Sequence, residues 1–265
     1  MTTTVTIATT ASGNRSHAVA ELSARGEVAT WAGTITVAAS ERGVTEVWLP
    51  DWHSGAPELP PARPLADGAL TLIEAASPAA EHRLRAALTE LAEYFAGRQR
   101  AFDVTLDLVG GPFSRRAWAE VARVPSGETR SYQEIAKALG APTATRAVGA
   151  ANGANPVPPF VPCHRIVGAA GRLTGYGPGL PLKQALLVFE DAIPASADDY
   201  PAWIERVRGR LGTGDVFIGV RALGTCCRPT CLRAVAHHLR PNRVFGTLED
   251  ATAAGFTPCP SCRPD

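Results

Sequence analysis

No apolar run in this chain of 265 residues approaches the ~20 residues needed to cross a bilayer. The opening residues, MTTTVTIATTASGNRSHAVAE, have no basic segment leading into an apolar core, which argues against a secretory signal peptide. The expected compartment is therefore the cytoplasm, where thiols stay reduced. There is no internal repeat and no low-complexity tract. Cysteine is scarce, at six residues, and no C-x2-C sits on a thioredoxin-like βαβ pattern, so a thiol–disulfide enzyme is disfavoured. What remains is an ordinary soluble composition, 45% hydrophobic and 19% charged, long enough for two or three domains.

The near-neutral net charge of +1 conceals an uneven distribution. Met1 to Val109 holds eight Arg against thirteen Asp or Glu, a net of −5. Gly110 to Pro194 holds nine Lys or Arg against five acids, a net of +4. A basic middle segment suits an anionic partner, although scattered surface charge would give the same count.

The first ~60 residues read as β-rich, with VTIATT, GTITVAAS and VTEVWLP as short Val/Ile/Thr runs separated by turn residues. PELPPARPLADG reads as a loop. SPAAEHRLRAALTELAEYFAG then reads as one amphipathic helix, with Ser77 as cap, Pro78 in the first turn and Gly97 at the stop. Its stripe of Leu84, Leu88, Leu91 and Phe95 is core packing. Further on, SRRAWAEVARV predicts a helix from Ser114. SYQEIAKALG predicts another, with Ser131 and Glu134 as a capping box and Gly140 at its end. ATRAVGAANG predicts a third, so the segment suggests a helix-turn-helix. Ala144, Ala147, Gly149, Ala150, Ala151 and Gly153 leave that third helix almost bare. Glycine weakens a helix interior, so a close approach should offset the cost, either to another helix or to a nucleic-acid groove. LPLKQALLVFE predicts a fourth helix, and DAIPASADDYPAW reads as a connector.

VPCHRIVG places the thiol of Cys163 beside the imidazole of His164. A cysteine reacts as its thiolate, and a nearby base raises the thiolate fraction. Adjacent residues diverge on a helix or a strand, but the preceding NPVPPFVP argues for irregular backbone, where a water could bridge ring and sulfur. A bare Cys-His pair is more often an inert buried thiol beside a hydrogen-bonded ring. The surroundings change that balance. SYQEIA, RAVGAANGANPVP, PCHRIVGAAGRLTGYGPGL and KQALLVFE, in this order and spacing, closely resemble the O6-alkylguanine-DNA alkyltransferase family over Gly110 to Ala192. The resemblance implies that Cys163 is the alkyl acceptor, that His164 is its water-mediated base, and that Glu190 orients and polarises His164. It also implies that Asn155 holds the turn shaping the site and that Tyr132 donates a hydrogen bond or proton as guanine leaves. Arg146 would fill the duplex gap left by the extruded nucleotide, and Tyr176 would line the base pocket. Apart from the resemblance, Arg130, with Arg115, Arg116 and Arg172, offers charge for phosphate contacts, the plainer alternative being that these arginines are simply solvated. The base must leave the stack to be reached, at a cost of a few kcal/mol.

The other five cysteines fall at the C-terminal end. Cys227 and Cys231 are spaced C-x3-C and Cys259 and Cys262 C-x2-C, which suits one tetrahedral Zn²⁺ on four thiolates. Free thiols at accidental spacing are the plainer alternative. Cys226 is left over, unless it replaces Cys227. FIGVRALGTCCRPTC and AAGFTPCPSCRPD resemble the zinc-binding domain of the bacterial Ada protein over Asp215 to Asp265. That resemblance implies that Cys227 also takes a methyl group from DNA methylphosphotriesters. LRAVAHHLRPN departs from the pattern, running about two residues longer and lacking Pro-Ala-Arg, which leaves phosphate contacts from Arg233 or Arg240 unsupported. The zinc module follows the alkyltransferase segment rather than preceding it, and no activator region is present.

The expected fold class is α+β and multidomain. Residues 1–108 form a β-rich domain with one helix, 109–194 a helical, winged-helix-like alkyltransferase domain, 195–212 a connector and 213–265 a four-cysteine zinc module. The expected activity is single-turnover repair of O6-alkylguanine by transfer to Cys163, by a monomer acting on alkylated double-stranded DNA, with one zinc ion and no membrane partner. The rival expectation is a non-enzymatic sensor or regulator that binds alkylated DNA.

Overall fold

The structure is a computed structural model and describes residues 4–7, 23–53 and 69–264. The Pro-rich loop expected at residues 57–68, the end of the first expected strand and most of the N-terminal stretch lie outside the described residues.

The N-terminal segment contributes β1 (Thr4–Ile7), β2 (Ser23–Thr30), β3 (Gly33–Ser40), β4 (Gly43–Trp48), β5 (Leu70–Ala75), helix α1 (Pro78–Phe95) and β6 (Asp103–Leu106). The strands form one six-stranded sheet in the order β1-β6-β4-β3-β2-β5. Its β2–β3–β4 meander is antiparallel, while β6 runs parallel to both β1 and β4. β3 and β4 fall where Val/Ile/Thr alternation predicts them; β2, β5 and β6 were not anticipated. Helix α1 begins as expected, with the Ser77 side chain accepting from Ala80 N and Pro78 in the first turn. Leu84, Leu88, Leu91 and Phe95 are all buried against the sheet.

The middle segment contributes α2 (Pro112–Ala122), β7 (Arg130–Ser131), α3 (Tyr132–Ala138), α4 (Thr145–Gly153), β8 (Ile166–Val167) and α5 (Leu180–Phe189). Helix α2 starts two residues before its expected position. The capping box at α3 is complete: Glu134 N donates to Ser131 Oγ at 3.2 Å, and Ser131 N donates to Glu134 Oε2 at 2.7 Å. Helices α2, α3 and α4 pack on one another. The core does not stop at residue 108, because Leu91, Phe102, Phe160, Ile166 and Leu182 belong to one buried cluster.

The C-terminal segment contributes α6 (Tyr200–Leu211), β9 (Phe217–Val220), β10 (Thr225–Cys227), α7 (Leu232–Val235), β11 (Arg243–Phe245), α8 (Leu248–Ala253) and β12 (Thr257–Pro258). The strands form a second sheet in the order β11-β9-β10-β12. Residues 195–212, expected as a connector, contain the 12-residue α6. Its Tyr200, Trp203, Ile204 and Val207 pack in one cluster with Cys227, Cys231 and Cys259. The short apolar spacing of that helix was hidden behind the Pro, Ala and Asp residues before it. Mixed helices and sheets in several packed parts give the α+β class. Among the described residues no helix is long and apolar enough to cross a membrane.

Candidate active site and metal centre

Two devices set the backbone around Cys163. The Asn155 amide donates to Val161 O at 2.7 Å, and its Oδ1 accepts from Val157 N at 3.1 Å, tying residues 155–161 into a closed loop. The chain then enters a 3₁₀ turn over Cys163–Arg165. Asn152, from the buried face of α4, donates to Cys163 O at 3.2 Å. Cys163 is left 5% exposed and His164 fully buried. Burial pushes the Cys163 thiol above its ordinary value, against the opposing pull of Asn155 and Lys183. A free thiolate is therefore not the resting state, and the site needs a base.

His164 supplies one. Burial pushes its pKa below the ordinary imidazole value and outweighs the opposing pull of Glu190, so the ring is neutral near pH 7. Its Nε2 lies 3.2 Å from Glu190 Oε1 in a poorly aligned approach, and Nδ1 has no partner among the described residues. Glu190 sits at the end of α5, where it is the C-cap. Burial would raise its carboxyl, but Arg165 and His164 outweigh this and hold it well below the usual carboxylate range.

Arg165 and Lys183 were not singled out from the sequence. The Arg165 guanidinium donates from Nε to Glu190 Oε2 at 2.9 Å and from Nη2 to Oε1 at 2.6 Å, a bidentate pair with both partners buried. Lys183 Nζ donates to Ile166 O at 2.6 Å and to Thr174 O at 2.9 Å, joining the strand after Cys163 to the loop before Tyr176. Burial lowers its pKa to about 8. The available signals were the charge directly after Cys-His and the one cation on the apolar face of α5.

Tyr132 is half-buried, and its hydroxyl makes only a long contact, 3.5 Å, to Thr174 O. Lys183 Nζ lies over the Tyr176 ring, 6.0 Å from its centroid, and the buried Tyr176 hydroxyl has no partner among the described residues. Burial raises both phenols, so both are protonated donors at neutral pH. Arg146 is exposed on α4. The outward face of that helix is Arg146, Ala147, Ala150 and Gly153, all exposed, and a Cβ built on Gly153 would meet nothing within 4 Å. Its buried face is Val148, Ala151 and Asn152, with Trp118 Nε1 donating to Ala151 O at 2.8 Å. The bare face thus looks outward rather than into a neighbouring helix. Arg116 and Arg172 are also exposed. Arg130 stands apart from them: its Nη1 is held by Glu128 Oε2 at 2.7 Å and by Thr129 O at 3.2 Å, on the side facing the C-terminal segment.

In the C-terminal segment the ligand atoms of Cys227, Cys231, Cys259 and Cys262 all lie within 4.8 Å of one another. A tetrahedral Zn²⁺ with Zn–S bonds of about 2.3 Å would set its sulfurs roughly 3.8 Å apart, so the four thiols fit one zinc ion with little movement. Cys226 is outside this set. Side chains alternate along a strand, and Cys226 on β10 faces the opposite way, into a cluster with Phe217, Phe245, Ala251 and Phe256. Cys227 is fully buried, whereas Cys262 is partly exposed.

Residues 112–192 match the profile of the 6-O-methylguanine DNA methyltransferase DNA binding domain, and residues 206–265 match that of the metal binding domain of Ada. The methylated-DNA–protein-cysteine methyltransferase of Mycolicibacterium paratuberculosis is 57% identical over 104 residues, which are 39% of this chain and 63% of that one. The match therefore spans less than two thirds of that relative. The enzyme of the same name from Methanosarcina acetivorans is 49% identical over 110 residues, 42% of this chain and 70% of that one. Among solved structures, Mycobacterium tuberculosis OGT in complex with DNA superposes with a TM-score of 0.49 at 38% identity, covering 62% of this chain and 90% of that one. The identity to the archaeal relative over more than two thirds of its length places the chain in the methylated-DNA–protein-cysteine methyltransferase family.

Proposed function

We propose that this chain repairs O6-alkylguanine in double-stranded DNA by one irreversible transfer of the alkyl group to Cys163. The observation that carries the reading is the line of groups from Cys163 through His164 to a carboxylate already ionised by Arg165. The unpartnered Nδ1 of His164 is the natural acceptor, through one water, for the thiol proton. Glu190 steadies the imidazolium that forms. The Cys163 sulfur attacks the alkyl carbon, an S–C bond forms and the C–O6 bond breaks. The electron pair passes to the guanine, and the departing base takes one proton from the Tyr132 side of the pocket. Nothing in the site cleaves the resulting thioether, so each molecule acts once. To reach the sulfur the base must leave the duplex. The side-chain-poor outer face of α4 lets its backbone lie in the minor groove, with Arg146 entering the stack. Arg172 is placed for phosphates; Arg116 would first have to leave Leu139 O, and Arg130 would have to leave Glu128.

The organisation that supports this reading is a β-rich segment at residues 1–108, the transfer segment at 109–194 and a zinc module at 213–265, with α6 serving the last. Cys227, Cys231, Cys259 and Cys262 would hold the zinc, which supplies folding energy to a thin core and keeps its thiolates deprotonated. Transfer of a methyl from a phosphotriester to Cys227 would require that sulfur to reach the DNA backbone, and its full burial favours a structural role. Peptide mass mapping after incubation with a duplex carrying both O6-methylguanine and a methylphosphotriester tests each point. The expected result is one added methyl on Cys163 and none in the Cys163→Ala protein. An unlabelled Cys163 overturns the transfer reading in favour of a damage-binding sensor, and a methyl on Cys227 overturns the purely structural zinc.

A further inference from the structure

The carboxylate behind His164 is shared with the N-terminal segment, which also meets the loop before Cys163, where Val47 N donates to Pro156 O at 2.8 Å. Tyr94, near the end of α1, donates its hydroxyl to Glu190 Oε1 at 2.6 Å. Arg165 Nη2 donates to the same oxygen at 2.6 Å, while Arg165 Nε takes Oε2 at 2.9 Å. A carboxylate oxygen offers two well-directed lone pairs, and these two short bonds use both on Oε1. His164 Nε2, at 3.2 Å, is the third and most distant group on that oxygen and approaches it poorly aligned. The hydroxyl is not free to swing away, because the Tyr94 ring is fully buried among Phe95 at 5.0 Å, Phe102 at 5.0 Å and Phe189 at 5.5 Å between centroids.

We propose that Tyr94 is a positioning residue of the N-terminal segment that takes up one lone pair of Glu190 and thereby limits how strongly the carboxylate holds His164. Its consequence for repair rests on the transfer reading above. Without the hydroxyl, Nε2–H of His164 gains the vacated lone pair and the ring becomes more basic. Nδ1 then draws harder on the Cys163 proton. The other ionisable groups facing this pair are Lys183 from α5, Arg165 on the same turn, Tyr132 from α3 and Tyr176 from the following loop, with Arg100 beside Tyr94. None of them donates to Glu190 Oε1 except Arg165.

The test is a thiol titration of the zinc-loaded full chain. Ultraviolet thiolate absorbance is followed against pH, and that of the matching Cys163→Ser protein is subtracted, so that only Cys163 is read. Tyr94→Phe removes one oxygen and keeps the ring packing. Its midpoint is expected about one pH unit lower than in the parent protein, the shift matching one charge-assisted hydrogen bond gained by His164. A fluorinated tyrosine at position 94, a stronger donor of the same shape, is expected to move the midpoint upward, and in a Glu190→Gln background the Tyr94→Phe shift is expected to vanish. An unchanged or raised midpoint in Tyr94→Phe overturns the proposal, as does a shift that survives Glu190→Gln. If the midpoint moves while no alkyl group passes from O6-methylguanine DNA to Cys163, the transfer reading fails and this one stands. If transfer proceeds and the midpoint is fixed, the reverse holds.

Discussion

Glu190 is where single residues decide most. A buried ion pair is weak evidence of stability when intact, but removing one partner strands the other charge. Arg165→Met should therefore cost about 3–5 kcal/mol, seen as a lower urea midpoint. Arg165→Met combined with Glu190→Gln should recover part of that loss, since no charge is then left bare. Acid acts on the same cluster. His164 and Glu190 are both held below their ordinary values, so the unfolded chain takes up their protons more readily. The stability they contribute is complete above about pH 6.5 and is lost as pH falls, first through the ordinary imidazole range and then the carboxylate range. Melting temperature measured against pH should decline on that schedule, and His164→Gln should lack the first part. That His164, next to Cys163, would lie against Glu190 could be read from motifs of fixed order. The parts played by Arg165 and Lys183 could not. A charged residue is exposed by default, and nothing local announces that Glu190, 25 residues on, or two backbone carbonyls will receive the charge.

At the scale of elements, legibility followed how local the cause was. The Ser77 cap and the Ser131–Glu134 box are written within four residues, and both form as expected. Strand β2 is different. Its buried positions alternate, but they are filled by Ala24, Gly26 and Val28. A Cβ at Gly26 would stand 2.7 Å from Thr71 O and 2.9 Å from Leu88 Cδ1, so a close neighbour strand and α1 demand the small residue that erases the alternation. Strand β5 is exposed throughout and pairs with β2 across a bulge, so burial gives it no signature either. For α4 the sequence showed the missing side chains but left open which surface they approach; the exposed Ala147, Ala150 and Gly153 resolve that choice against a helix–helix contact. Ala150→Leu should then leave the melting temperature almost unchanged, as exposed helix substitutions usually fall within about 0.5 kcal/mol. Its duplex affinity, measured by fluorescence anisotropy, should fall about tenfold or more, a loss of roughly 1.4 kcal/mol. Retained affinity would mean that this face does not enter the groove.

Across the whole molecule, the C-terminal segment is fastened to the transfer segment at points that matter to it. Arg221, in the turn between β9 and β10 and with its side chain 7% exposed, donates to Glu134 Oε2 at 2.6 Å and to Thr129 O at 2.7 Å. Arg243 adds a longer contact, 3.6 Å, to Glu134 Oε1. Glu134 completes the capping box of α3, so the join bears on the first turn of the helix that carries Tyr132. Gly171, at φ +70°, lies against Pro241, where a Cβ would stand 2.6 Å from the carbonyl oxygen. That contact bears on the loop between Cys163 and Tyr176. None of this was visible beforehand, since an arginine in a turn carries no mark of its distant partner. It gives metal removal an effect beyond the zinc module. A chelator should unfold the C-terminal core first, because four clustered thiols without an ion take up protons and no longer tie the thin core together. Losing the docked module should also lower the melting temperature of the remainder. Arg221→Ala should separate the two events. Truncating one partner of a largely buried charge pair costs about 2–5 kcal/mol, and with it goes Arg221's link to Glu134, leaving the bonds of Trp203, Arg206 and Arg210 to Asp191 and Gly127. Calorimetry of the variant should show two transitions, the higher one insensitive to chelator; a single transition that shifts with chelator as in the parent would show that the parts are coupled through other contacts.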